Sequence, residues 1–343
     1  MSDLSVNSIL DASGGATTTI NGFTPTVSNM AGRNRIINGD MRIDQRNAGA
    51  SVTPASSGYT LDRWRAGLSV ASKYSVQQST AAPAGFSNSL LVTSLSAYSS
   101  GTSENFVLQQ LVEGFNSSDF GWGTASAQTV TLSFWVRSSL TGTFGGCFAN
   151  SAHDRAYPFT YTISAANTWE QKTITVVGDT SGTWIGATNG AGIRVYFNLG
   201  SGATVSGTAG AWTTGFFVSA TGATSVVGTS GATFYITGVQ LELGTVATPF
   251  ERRPIGLELA LCQRYFETGA SLANNVAAST TLRASQPFAV VKRAAPTVTR
   301  ISNFFTLGTA GTTFSEISTG LFVFENGPTA AAAGGYWTAA AEL

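Results

Sequence analysis

The segment Thr233–Leu243, TFYITGVQLEL, constrains the fold most, because its apolar residues change parity halfway along. Successive side chains of a strand point to opposite faces. Phe234 and Ile236 therefore share one face, while Val239, Leu241 and Leu243 share the other. An isolated glycine inside a strand often marks a bulge, and a one-residue bulge at Thr237 or Gly238 would return all five to a single core face. Tyr235, Gln240 and Glu242 would then face away. Pro254 is a favourable first helical residue, and IGLELALCQRYFE follows at helix length. The stretch reads as the closing strand of a β domain handing over to a helix.

The chain before it repeats the strand pattern. Val130, Leu132, Phe134 and Val136 alternate with Thr131, Ser133, Trp135 and Arg137, and Ile193, Val195, Phe197 and Leu199 alternate with Arg194, Tyr196 and Asn198. VASKYSVQQ, SLLVTSL, NFVLQQLVEG, YPFTYTI and TWEQKTITVV are further strand candidates, and a first strand is expected in NRIINGDMRID. Gly-, Ser- and Thr-rich pieces separate them, as in an all-β chain of many short strands. About eight to ten strands before Pro254 suit a jelly-roll-like β-sandwich better than a small barrel.

Residues 34–254 are assigned to this sandwich and 255–268 to a short connecting helix. The apolar residues of that helix, Ile255, Leu257, Leu259, Leu261, Cys262, Tyr265 and Phe266, wrap most of its circumference, which predicts burial on several sides. Residues 269–343 form a small C-terminal β domain with strand candidates at 280–284, 288–292, 321–324 and 336–339. Its few large apolar side chains make a marginal core, which packing against sister chains would relieve. Residues 1–33 are polar and Gly/Thr-rich and read as an arm, either an attachment segment or a disordered terminus.

Charge excludes several partners. Eighteen Lys and Arg balance eighteen Asp and Glu, so no basic stripe exists to neutralise nucleic-acid phosphates. So few charges favour burying surface in an oligomer. Cys147 and Cys262 lie far apart in the sequence and are expected to be free and buried rather than a disulfide framework. MSDLSVNSIL lacks the charged and apolar regions of an export signal, and no run of 18 apolar residues occurs. Synthesis in a cytoplasm without membrane insertion is the expectation.

Several strings together resemble the tail-fibre and receptor-binding proteins of tailed bacteriophages: GVQLELGTVATPFERR leading into LALCQRYF, then NRIINGDMRIDQR, YTLDRW, TVTLSFWVR, FAVVKRAAPTV and the terminal AEL. The resemblance runs from Asn34 to Leu343. It implies a sandwich like a carbohydrate-binding module in a homotrimeric virion protein, joined to other tail proteins by its N-terminal arm and attached to a host surface glycan.

The available chemistry favours binding. His153 is the single histidine, so a multi-histidine zinc site within the chain is excluded. No GxSxG elbow accompanies it, and it is assigned no role. Asp40, Asp62, Glu113, Asp154, Glu170 and Glu242 could supply a glycosidase pair, but no spacing selects two of them. No enzymatic activity and no cofactor are expected. A structural Ca²⁺ held by Asp40 and Glu242 near the NGD turn is the one metal considered, with a plain hydrogen-bonded turn as the simpler alternative. Sugars stack on aromatic faces and hydrogen-bond to a few polar groups. The outward set Trp135, Arg137, Arg194, Tyr196 and Asn198 would form one such platform if the two alternating strands were neighbours in one sheet. Alternatively Trp135 packs under a loop or a sister subunit. Trp64 reads as a core or turn anchor with Asp62 and Arg63 paired near it, and Trp122, Trp184 and Trp212 as loop contacts or loop anchors.

Overall fold

The computed structural model describes residues 32–274, 282–307, 312–315, 317–326 and 332–343. The arm at 1–33 falls outside them except for its last two residues. Two antiparallel sheets face one another. The seven-stranded sheet runs Gly58–Leu61, Trp64–Leu68, Asn105–Glu113, Ala191–Ser201, Gly142–Ala149, Arg155–Ile163 and Thr213–Thr214. The five-stranded sheet runs Tyr74–Ser79, Ser89–Ser94, Thr233–Leu243, Val130–Ser138 and Glu170–Val176. The chain crosses between the sheets repeatedly, and the inward rows, among them Phe106, Leu108, Leu132, Phe134, Val195 and Phe197, meet in one core. The all-β, jelly-roll-like sandwich expected from the alternation is the fold observed.

The parity switch is resolved as a bulge. Thr237 pairs with Trp135 and Gln240 with Ser133, so three steps on one strand match two on the other. Gly238 carries the extra residue at φ 60°, a left-handed conformation that glycine adopts without strain. A Cβ there would also lie 2.7 Å from the Phe86 ring. Phe234, Ile236, Val239 and Leu241 all reach the core. Gln240 and Glu242 do point the other way, yet both are buried. The segment around Asn34 lies against them, with Arg35 N–H donating to the Leu241 carbonyl at 2.9 Å, and Thr248 folds back over them, its N–H and hydroxyl donating to Glu242 at 2.9 and 2.6 Å.

That Asn34 segment is not the expected strand. Asn38 and Met41 have φ of 56° and 58°, which an extended ladder does not allow. Asn38 closes the turn itself: its Oδ1 accepts the Ile43 N–H at 2.9 Å, and its Nδ2 donates to the Ile43 and Asp62 carbonyls. A different strand went unforeseen. It is Gly142–Ala149, where close neighbours exclude side chains at Gly145 and Gly146. A Cβ on Gly146 would lie 2.4 Å from the Tyr196 carbonyl.

The helix spans Ile255–Gln263, shorter than expected, because Phe266 already starts a strand. Cys262, Tyr265 and Phe266 are buried, whereas Ile255 and Leu257 are 53% and 51% exposed, so burial on several sides holds only for its C-terminal end. Beyond it stand two three-stranded sheets: Phe266–Asn274, Ala332–Ala340 and Thr297–Leu307; and Leu282–Pro287, Leu321–Asn326 and Thr312–Ser315. The 288–292 stretch is not a strand; Phe288 instead packs with Phe322, Trp337 and Ala339 as a small core.

The sandwich and this C-terminal region are joined by charge. Arg63, almost fully buried, forms an ion pair with Glu342, which Arg46 also meets at 2.5 Å. The Arg63 guanidinium lies 3.6 Å from the centre of the Tyr265 ring. Arg293 donates to the carbonyls of Ala341 and Glu342, and Glu113 accepts two hydrogen bonds from Arg264 at 3.0 and 2.6 Å. Lys292 is fully buried against Glu267 and the Gln263 carbonyl.

Candidate functional site

The two strands carrying the outward set belong to different sheets, so the five residues do not form one platform. Val130–Ser138 lies in the five-stranded sheet and Ala191–Ser201 in the seven-stranded one. Trp135 and Arg137 therefore look out from one side of the sandwich, and Arg194, Tyr196 and Asn198 from the other. Local alternation identifies an outward side chain but not its sheet.

On the seven-stranded side, antiparallel register places Arg65 opposite Gln109, Gln109 opposite Tyr196, and Tyr196 opposite Cys147. The segment bearing the parallel pair Ser206–Gly207 and Ser219–Ala220 folds over the Cys147 end, where Val205 and Val218 pack on Cys147, Ala149 and Tyr196. The other end stays open as a groove of about 200 Å³ between Arg65, Gln109, Arg194, Tyr196, His153 and Phe216. Asn198 faces the same way but is fully buried, its Oδ1 accepting the Gly200 N–H at 3.1 Å.

The groove is polar, and part of its hydrogen-bonding capacity has no protein partner. Gln109 Oε1 and Arg194 Nε are buried without a partner in the structure. Arg65 and Arg194 meet no carboxylate among the described residues, whereas Arg33, Arg35, Arg42, Arg46, Arg63, Arg155, Arg253 and Arg264 each do; Arg137 and Arg252 meet aromatic rings and Arg293 backbone carbonyls instead. His153, with φ 59°, stands at the rim, its Nδ1 3.4 Å from the Tyr196 hydroxyl. Burial first, then the charges of Arg194 and Arg65, lower its pKa to about 4. Burial raises the Tyr196 hydroxyl to about 12. The Phe216 ring is 43% exposed and lies 5.1 Å from the His153 ring. It offers the groove an apolar wall.

The five-stranded side is built differently. Trp135 lines a larger depression of about 470 Å³ with Phe86, Phe250, Gln171 and Arg252, next to the Gly238 bulge. Arg252 lies 4.7 Å over the Phe86 ring, and Phe86 meets Phe250 edge-on. Arg137 lies 5.1 Å over Tyr235, which Trp169 also contacts. The cations of this face are occupied by its own rings.

The other singled-out residues have structural surroundings. Asp40 forms an ion pair with Arg42 at 2.5 Å, a contact whose angle is not that of a hydrogen bond. Glu242 is held by Thr248 and by Gln240 Nε2 at 2.8 Å. Among the described residues no group of three or more His, Cys, Asp or Glu could hold a metal. A Ca²⁺ bridging Asp40 and Glu242 would have to displace Arg42 and Thr248, so the pair does not fit that ion. Asp62 accepts from the Gln45 N–H and side-chain amide at 2.7 and 2.6 Å and does not pair with Arg63. Burial nonetheless raises its carboxyl to about 6. Asp154 accepts from Asn150 Nδ2, and Glu170 meets Lys172. Trp64 is the core anchor expected, its Nε1 donating to the Asn38 carbonyl. Trp122, Trp184 and Trp212 pack edge-on at 4.8 to 5.4 Å and anchor loops. Cys147 and Cys262 are free and buried.

Sequence reading missed Arg65, Gln109, His153 and Phe216. Two signals were present: Arg65 has the parity opposite to Trp64 and Ala66, and Gln109 interrupts the apolar run FVLQQLV. His153 and Phe216 lie on loops, where no periodicity assigns a direction.

No protein-family model and no curated protein matches the chain. Among solved structures, a family 11 carbohydrate-binding module from Clostridium thermocellum, in complex with a β-1,3-1,4-mixed-linked tetrasaccharide, is 10% identical over 58% of this chain and 98% of that one, with a TM-score of 0.30. The N-terminal cellulose-binding domain of a Cellulomonas fimi β-1,4-glucanase is 12% identical over 50% and 84%, with a TM-score of 0.28. The enzymatically active domain of tailspike protein 4 of bacteriophage CBA120 is 13% identical, with 61% of this chain aligned to only 21% of that one at a TM-score of 0.32. All three scores lie below 0.5. The all-β assignment therefore rests on the sheets described above.

Proposed function

We propose that the protein is a virion tail fibre or receptor-binding protein that attaches to a host cell-surface glycan through the groove on its seven-stranded sheet. The observation that carries the reading is the groove itself: Gln109 Oε1 and Arg194 Nε are left without protein partners beside the exposed Phe216 ring. Sugar recognition uses this combination of an apolar wall and a few directed polar groups. Attachment is non-covalent, and no bond is cleaved. Three copies in a homotrimer would raise a weak single-site affinity through effective concentration. The exposed Ile255 and Leu257 of the helix offer apolar surface for contact with sister chains or other tail proteins, and the same surface is what favours a second reading, a tail or head decoration protein that touches only virion components.

The test is binding of the purified protein to host cells before and after their surface polysaccharide is stripped, repeated with Phe216→Ala and Trp135→Ala. Binding is expected to fall on stripping and with Phe216→Ala, and to survive Trp135→Ala. Binding that persists on stripped cells would exclude a glycan receptor. A loss confined to Trp135→Ala would move the site to the five-stranded face. No binding by a confirmed oligomer would favour the decoration role.

A further inference from the structure

The groove carries a charge signature that narrows its ligand beyond sugars in general, an inference that rests on the glycan reading above. The chain as a whole is neutral, with eighteen basic and eighteen acidic side chains. Two arginines, Arg65 and Arg194, nevertheless enter one small groove, and none of the residues lining it is acidic. The nearest acid in sequence to the rim, Asp154, follows His153 directly, but its carboxylate accepts from Asn150 Nδ2 at 2.6 Å.

Both arginines are half-buried, so each has given up part of its water shell without gaining a protein counter-ion. Guanidinium is a planar fork of donors that matches carboxylate and phosphate oxygens. Two of them flanking Gln109 and Tyr196 would bring a positive field to a ligand already held by hydrogen bonds. Burial first, and then the charges of Arg194 and Arg65, lower the proton affinity of His153 at the rim, in keeping with two cations facing the groove. On the opposite face Arg137 and Arg252 also meet no carboxylate among the described residues, and Arg137 Nε is likewise unpartnered, but both guanidinium groups lie over aromatic rings rather than together in one groove.

We propose that the groove recognises an acidic sugar, with Arg65 and Arg194 holding an anionic substituent, either the carboxylate of a sugar acid or a phosphate ester, while Phe216 packs on the ring. Neutral sugars of the same backbone bind the same groove more weakly.

The test is binding of the full chain to an array of defined glycans that includes neutral, uronate-bearing, sialate-bearing and phosphate-bearing members on matched backbones. Acidic members are expected to bind about tenfold or more tightly than their neutral counterparts, since hydrogen bonds to charged groups are worth clearly more than neutral ones. The carboxylate and phosphate arms tell the two anion sources apart. Arg65→Gln and Arg194→Gln should each remove roughly tenfold from acidic binding and cost neutral binding clearly less, so that the preference for acidic over neutral members falls towards one. A salt titration of the unaltered protein supplies the same information without any variant: acidic binding should weaken between low and high salt, and neutral binding should not. Equal binding of acidic and neutral members, or equal losses for both in the arginine variants, would overturn the charge assignment while leaving the glycan reading standing. Failure to bind any sugar would overturn that reading, and this inference with it.

Discussion

The two outer faces of the sandwich start from the same kind of strand and end with different chemistry. TVTLSFWVR and IRVYFNL each present an aromatic residue flanked by polar ones on the outward side. On the five-stranded face Arg137 lies over Tyr235, and Trp135 shares its depression with Phe86, Phe250 and Arg252. On the seven-stranded face Val205 and Val218 pack on Tyr196, while Arg194 Nε and Gln109 Oε1 have no protein partner beside a groove that Arg65 and Tyr196 also line. Alternation decides which side chains leave the core; the loops that fold back over a sheet decide which of them keep unspent valence.

Substitutions that act on one face and spare the other sharpen this contrast. The largest effect is expected from Arg194→Glu, which reverses a charge in the groove. Glycan affinity, measured by calorimetry, should fall about 100-fold or more, whereas Trp135→Glu on the other face should leave it within about threefold. Equal losses would erase the distinction between the faces. Next comes Gly238→Ala, which forces a Cβ into a positive-φ bulge against Phe86. It should lower unfolding free energy by about 1–3 kcal/mol in urea titrations without changing glycan affinity per folded molecule. Arg137→Ala removes the stack on Tyr235 and should cost about 0.5–1 kcal/mol of stability, again with affinity unchanged.

The smallest effect is a pH dependence. The His153 pKa is lowered from 6.5 to about 4 in the folded chain. As pH falls through this window, the unfolded chain takes up a proton that the folded chain refuses, so stability is lost. Asp62, raised from 3.8 to about 6, acts in the opposite sense: its stabilisation is complete below 3.8 and lost as pH rises through 6. His153→Gln should remove the first contribution alone. The melting temperature of the variant relative to the unaltered protein should then rise by on the order of 2 °C between pH 7 and pH 4.5. A constant difference would mean that His153 titrates normally.

Much of the fold could be read from the residues because its signals are local. Gly238 announced the bulge through the parity switch, and Trp64 behaved as an anchor. What failed was non-local. The strand through Gly145 and Gly146 is not among the strand candidates, because what excludes side chains at Gly146, the Phe159 ring and the Tyr196 carbonyl, comes from neighbouring strands. Likewise, nothing in TVTLSFWVR or IRVYFNL states that they lie in opposite sheets, so the outward five divided between two faces. Most of the strings that carry the phage resemblance, though not TVTLSFWVR, also have a common place in the structure. Asn38, Arg63, Trp64, Arg264, Lys292, Arg293 and Glu342 all take part in the joint between sandwich, helix and C-terminal region. Those strings describe architecture, while Arg65, Gln109, His153 and Phe216 describe the ligand, and only two of these four lie in strands whose alternation gives them a direction.

The Arg63–Glu342 pair joins residues 279 positions apart. During synthesis Arg63 is made early, and the strand beside it can form long before its counter-ion exists. A buried cation without its partner is strongly unfavourable, so closing this corner of the sandwich is coupled to docking of the segment that carries Glu342. A molecule in which the segment carrying Glu342 is undocked would have a loose, wet seam beside Arg63, and that seam is where proteases would be expected to cut first.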